Sequence, residues 1–246
     1  MQPPTDRASA WLAAMRRGDF AAAWLISDRV LRERLAAGPC WQLPRHEQWV
    51  WDGRPLRDRR VLVRCYHGLG DTIQFARFLP TLADIAREVV VWAPRPLLRL
   101  LGGLRGVGRV LPLHDGAVEV DYDVDVEIME PPHALRTSLA TLPARVPYFD
   151  VPASPRRSAR MSVGLVAASG AWDPSRSISA TLLAGVIPAE VAAFSLQLGP
   201  PLPGATDLST PDLWALAGRL RGRDLVITVD TMVAHLAGAL GVPVWT

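Results

Sequence analysis

The sequence predicts an α/β protein: two lobes, each a parallel sheet with helices on its faces, behind a short helical hairpin. Three observations carry this expectation. From Arg60 onward, short β-branched runs alternate with stretches whose apolar residues recur at three and four, as strands and helices do when they follow one another in series. A proline-rich break, Pro147 to Pro155, divides that alternation into two halves. Of the 246 residues, 49% are apolar and 21% charged, a composition that can bury a sizeable core.

Each element has its own signal. Between Ala8 and Ala36, Trp11, Leu12 and Met15 share one helical face; Gly18-Asp19 interrupts, and Phe20, Ala23, Trp24, Ile26, Val30 and Leu31 resume the pattern, predicting a hairpin. It looks like one tetratricopeptide-type unit, although no repeat at that period follows and one unit cannot form a solenoid. Gly38 to Arg57, with Pro39, Pro44 and Pro55, reads as a linker whose Trp41, Trp49 and Trp51 serve as packing anchors. Strands are expected over Arg60 to Cys65, Val89 to Ala93, Gly108 to Leu113 and Asp123 to Met129, with helices over Asp71 to Arg87 and Pro96 to Leu101. The second half predicts strands over Ser162 to Ala168, Ala193 to Leu198, Asp224 to Val229 and Val242 to Trp245. Its helices fall over Ser179 to Val186, Pro211 to Arg221 and Thr231 to Leu240. The result is two Rossmann-like lobes, residues 51–155 and 156–246, after a hairpin and linker at 1–50. Ligands are expected at the carboxyl ends of the strands and in the cleft between the lobes.

Composition excludes several functional classes. Every basic residue is arginine, so neither a Schiff-base lysine nor the lysine of an ATP-binding P-loop is available. The net charge is +3, and apart from Arg57-Asp58-Arg59-Arg60 and Arg156-Arg157 the arginines are dispersed among acids, which argues against a nucleic-acid partner. Cys40 and Cys65 are too few for a disulfide framework or thiolate metal site, and Cys65 reads as a buried, inert thiol. No apolar run is long enough to span a bilayer and Met1 to Arg7 lacks a secretory pattern, so the expectation is a cytoplasmic chain whose membrane contact, if any, is peripheral.

Three segments carry chemistry. In Val61 to Pro80 a strand leads through Gly68 and Gly70 into a helix opened by Asp71. The glycines permit positive φ and close approach of a ligand, and Asp71 at or near the N-cap projects a carboxylate into the cleft, although an aspartate there more often only caps. Ile73 takes the place of the third glycine, so this is not the dinucleotide fingerprint. In Asp224 to Trp245 an apolar strand ends in Asp230 and a helix opens at Thr231. Its N–H groups and dipole can receive a diphosphate, and His235, four residues on, faces the same way. Thr231 can equally be a plain N-cap and His235 a buried histidine with a backbone partner. In Ser162 to Ser177 a strand runs into Ser169-Gly170, a turn of small residues with room for a nucleotide or phosphate. Arg176 follows within reach of anions or as a solvated loop arginine. The acids from Glu119 to Glu130 read as one polar strand face and not as a metal site, so no metal or other cofactor is expected.

The runs WDGRPLRDRRVLVRCYHGLGDTIQFARFLP and DLVITVDTMVAHLAGALGVPVW, with Val163 to Val166, Arg176-Ser177 and Ser195-Leu196-Gln197 between them, resemble the paired signature of heptosyltransferase-like family 9 glycosyltransferases. The form resembled is the one found at the C-terminus of tetratricopeptide proteins. The resemblance covers Trp51 to Trp245. It implies a GT-B fold, an acceptor held mainly by the first lobe and a nucleotide sugar, ADP-heptose-like donors included, held mainly by the second. It also implies inverting, metal-independent transfer to a glycan or protein hydroxyl. Asp71 matches the position of the catalytic base; Asp230, Thr231 and His235 match positions that hold the donor's sugar and diphosphate. Ala167-Ala168-Ser169-Gly170 replaces the family's tryptophan-alanine-glycine-like turn, so contacts there are expected to differ. The family also continues past the position of Thr246, which makes the second lobe incomplete in this expectation. A degenerate, non-catalytic scaffold and a nucleotide-sugar epimerase on the same fold remain as alternatives.

Overall fold

The computed structural model describes residues 6–155, 159–170 and 173–246. Met1 to Thr5, the Arg156-Arg157 cluster and Ala171-Trp172 of the third motif lie outside the described residues. In chain order the main elements are α1 (Arg7–Arg16), α2 (Phe20–Ala37), β1 (Arg60–Arg64), α3 (Leu69–Phe75), α4 (Leu79–Ala83), β2 (Glu88–Ala93), α5 (Leu98–Gly102), β3 (Arg109–Pro112), β4 (Val124–Glu127) and α6 (Pro131–Ala134). They continue with β5 (Ser162–Val166), α7 (Ala180–Gly185), β6 (Ala192–Ser195), β7 (Thr206–Asp207), α8 (Leu213–Arg221), β8 (Leu225–Thr228), α9 (Met232–Ala239) and β9 (Val244–Trp245). These form two compact units. One comprises residues up to His67 with 78–93 and 105–144; the other comprises 68–77, 94–104 and 145–246.

The first unit is built on a four-stranded parallel sheet in the order β3-β2-β1-β4. Val61, Leu62 and Val63 of β1 are all fully buried, which is why this strand reads as an unbroken apolar run. Asp6 and Asp19 cap the two hairpin helices, accepting the N–H of Ala8 and Ala22 at 3.2 and 3.1 Å. Trp24 of α2 is buried and donates its indole N–H to Thr137 O at 2.7 Å, while its ring stacks on His133 with centroids 5.5 Å apart. Asp28, one turn on, lies 2.8 Å from His133 Nε2 and takes both prongs of the Arg136 fork. Of the linker tryptophans only Trp51 is buried; Trp41 stays 54% exposed.

The acids of this unit differ from the sequence expectation. The strand spans only Val124–Glu127, and Glu127 and Glu130 are not on an exposed polar face. Glu127 accepts the N–H groups of Tyr66 and Met129 at 3.1 and 2.7 Å, and lies 2.9 Å from His67 Nδ1. Glu130 accepts those of Glu127, Trp51 and Val50 at 2.7, 2.9 and 3.3 Å. Both carboxylates end the strand by holding backbone donors that no neighbouring strand reaches.

The second unit carries a five-stranded parallel sheet in the order β7-β6-β5-β8-β9. Its core gathers Val163, Leu165, Ala167, Leu183 and Leu202. The two-residue β7 carried no signal in the sequence because its residues, Thr206 and Asp207, are exposed. The helix expected over Asp71 to Arg87 also changes. It begins earlier, at Leu69 with Gly68 as N-cap, and breaks into α3, a 3₁₀ turn at 76–78 and α4, since Pro80 cannot donate the N–H that a continuous helix needs. Among the described residues no helix is long and apolar enough to cross a membrane.

Candidate functional site

Within the second unit, the carboxyl ends of β5, β6 and β8 and the first turns of α8, α9 and α3 enclose a cavity of about 520 Å3. The parallel strands end together, so the loops that follow them converge on one edge, the edge where open α/β sheets take ligands. Val166 closes β5, and the chain then turns through Ala167 to Gly170. Gln197, past the end of β6, holds that turn: its Oε1 accepts the N–H groups of Ala167 and Ala168 at 3.0 and 3.3 Å, and its amide donates to Pro200 O at 2.9 Å. Ser169 donates its hydroxyl to Asp173 O at 2.6 Å and its N–H to Ser177 Oγ at 2.9 Å, tying the turn to the loop that carries Arg176.

Thr231 is the N-cap of α9. Its hydroxyl oxygen accepts the Val233 N–H at 3.3 Å and lies 3.3 Å from Thr228 Oγ1. The helix start, with its partial positive charge, therefore opens onto the cavity. Arg176 reaches the same edge. Nη1 donates to Asp230 O at 2.9 Å and lies 3.4 Å from Asp230 Oδ2, and Nε lies 3.3 Å from Asp173 Oδ2. The Asp173 carboxyl is held below the usual carboxylate range, first by its bond to the Ser175 hydroxyl and further by the Arg176 charge. His235 Nε2 is 3.8 Å from Asp230 Oδ1, so Asp230, with its side chain 67% exposed, sits between a guanidinium and an imidazole.

Four of the sequence-derived residues, Ser169, Gly170, Arg176 and Thr231, line the cavity directly. Asp230 and His235 join it through Arg176 and through α9. Asp71 lies near the N-cap, which is Gly68, in the first turn of α3. It is the third residue of α3, and its Oδ2 accepts the Gly68 N–H at 3.2 Å, reaching back over the helix start whose Leu69 borders the cavity. Neither Gly68 nor Gly70 has positive φ. Gly70 is needed for a different reason: a Cβ there would stand 2.9 Å from His235 Cδ2 and 3.4 Å from the Met232 Cα, so its absence lets α3 lie against α9. The apolar wall includes Leu196, Leu198, Leu213 and Pro96, and Gln197 and Thr210 add polar groups. None of these was singled out as a site residue from the sequence. Gln197 was the most legible, as a polar residue at the end of an apolar strand.

No protein-family model matches the chain, and comparison with curated proteins gave no match. Solved structures do resemble it. The glycosyl transferase family 9 protein of Veillonella parvula DSM 2008 superposes with a TM-score of 0.54 at 12% identity, covering 78% of this chain and 80% of that one. Escherichia coli heptosyltransferase WaaC, solved with ADP-2-deoxy-2-fluoro heptose, gives 0.51 at 14% identity over 75% of this chain and 87% of its own. The E. coli ADP-heptose lps heptosyltransferase II gives 0.52 at 14% identity over 75% and 83%. At these identities the likeness establishes the fold: two parallel α/β sheets of the kind found in GT-B glycosyltransferases.

Proposed function

We propose that the chain is a glycosyltransferase that takes its sugar from a nucleotide sugar and passes it, with inversion, to a hydroxyl of a glycan or protein. The observation that supports this best is the cavity of about 520 Å3 at the strand ends of the second unit, apolar on its walls and bordered by the α9 N-terminus, Thr231 and Arg176. An apolar wall suits a nucleobase, and a helix start beside a guanidinium suits a diphosphate. The likeness to transferases whose names include ADP-heptose points the same way and makes an ADP-linked heptose or hexose the first donor to try.

In this reading the nucleoside diphosphate lies along the start of α9. Arg176 and the helix N–H groups meet the negative charge that gathers on the leaving oxygen, a service that needs no resident metal. Asp230, exposed and acidic, is poorly suited to a phosphate and well suited to the donor sugar's hydroxyls. Asp71 accepts the proton of the acceptor hydroxyl as that oxygen bonds to the anomeric carbon. The bond from the anomeric carbon to phosphate breaks, and the diphosphate departs with the electron pair. The test is nucleoside diphosphate release from a panel of nucleotide sugars. Release that requires an added acceptor supports transfer, whereas interconversion of the donor sugar without release would replace it with an epimerase.

A further inference from the structure

In the first sheet the chain crosses from β1 to β2 and β3 on one side and returns to β4 on the other, so its connections part between β1 and β4. In an open α/β sheet the carboxyl ends of two such strands frame a crevice that takes ligands. A carboxylate and an imidazole meet at those ends. Glu127 is the last residue of β4, opposite Arg64 of β1, and His67 follows three residues after Arg64. Glu127 is 2% exposed, and its two oxygens accept the N–H groups of Tyr66 and Met129 at 3.1 and 2.7 Å. It also stands 2.9 Å from Nδ1 of His67, whose side chain keeps 28% of its surface exposed. Two lone pairs would repel at that distance, so Nδ1 carries the hydrogen. In the neutral ring Nε2, turned away from the carboxylate, is then a hydrogen-bond acceptor. His67 is joined directly to Gly68, the N-cap of the helix that carries Asp71.

We propose that His67 is an acceptor-binding residue set in place by Glu127, its Nε2 accepting the hydrogen of an acceptor hydroxyl next to the one that reacts. The identity of the bound molecule rests on the transferase reading above. In that reading the reacting hydroxyl gives its only hydrogen to Asp71, so the imidazole takes a second hydroxyl and thereby orients the first. Glu127 acts through His67 and is a positioning residue.

His67→Asn separates this role from a purely structural one. The asparagine amide nitrogen is attached to Cγ, as Nδ1 is, and still donates to Glu127, but nothing replaces Nε2. The acceptors to use are methyl glycosides of glucose, galactose, mannose and N-acetylglucosamine. With them, His67→Asn in the full chain should keep the melting temperature, the nucleotide-induced stabilisation and the donor KM of wild type, and raise the acceptor KM about tenfold or more. An unchanged acceptor KM overturns the proposal and leaves His67 as a loop anchor; an equal rise in donor KM overturns it as well. In the wild-type chain at pH 8, long-range 1H–15N NMR should show His67 protonated on Nδ1, with the Nε2 resonance moved by a glycoside and unmoved by ADP or UDP. That spectrum decides even where the variant does not fold: a neutral ring protonated on Nε2, or a resonance that no glycoside moves, overturns the proposal. A glycoside-dependent shift without any nucleoside diphosphate release contradicts the transferase reading alone.

Discussion

Glu130 collects three backbone N–H groups, yet burial, the largest influence on it, pushes its pKa from 4.5 to about 7, helped by the neighbouring Glu127 charge. A carboxyl whose folded pKa is raised stabilises the fold fully below its unfolded value. That contribution is lost as pH rises through about 7. Glutamine cannot ionise, so the stability of wild type relative to Glu130→Gln should fall by up to about 3 kcal/mol between pH 5 and 8 in urea titrations. A difference flat with pH would refute the assignment. At Asp71 the expectation concerns rate: Asp71→Asn should leave donor binding nearly intact and lower turnover by orders of magnitude, and unchanged turnover removes it from the base role. Thr231→Ala should cost about 1 kcal/mol in thermal unfolding through the lost cap, and should also weaken diphosphate binding. Ser169, Gly170, Arg176 and Thr231 were legible because a turn after an apolar strand is readable in one stretch of sequence. Leu69, Pro96 and Thr210 were not, because only folding brings their separate segments to one cavity.

Between elements, α3 and α9 lie close together beside the site, which Gly70 permits. Gly70→Ala would force a methyl to within 2.9 Å of the His235 ring. Separation of the two helices should cost about 1–3 kcal/mol, with His235 displaced from Asp230. An unaltered melting temperature and an unaltered His235 environment by NMR would argue against this account of the glycine. The sequence suggested a ligand-facing or positive-φ role for Gly70. The packing role was illegible because the residues it accommodates, Met232 and His235, lie over 160 positions away. The hairpin shows the opposite case. Its two helices follow from apolar spacing and two aspartate caps, but the use of Trp24 to dock it through Thr137 and His133 required the folded chain. Element edges moved where polar side chains took over backbone bonds, as Glu127 and Glu130 do at the end of β4.

At the scale of the whole molecule, the alternation of β-branched and helical stretches on either side of a proline-rich break was enough to foresee two parallel sheets. The order of their strands followed from neither composition nor periodicity. β1 is central in one sheet and β5 in the other, each flanked by strands from later in the chain. Such crossovers bring the loops after β5, β6 and β8 to one edge and so create the cavity on which the functional reading rests. A ligand that binds only the folded chain stabilises it by about 2.7 kcal/mol at a concentration one hundred times its Kd, enough to raise the melting temperature by several degrees. The most direct test is therefore thermal unfolding of the purified chain against ADP, UDP, GDP and their sugar conjugates. The account predicts a saturable rise with one nucleotide family, retained in Asp71→Asn and diminished in Thr231→Ala; a folded chain whose melting temperature none of them moves at millimolar concentration would contradict it.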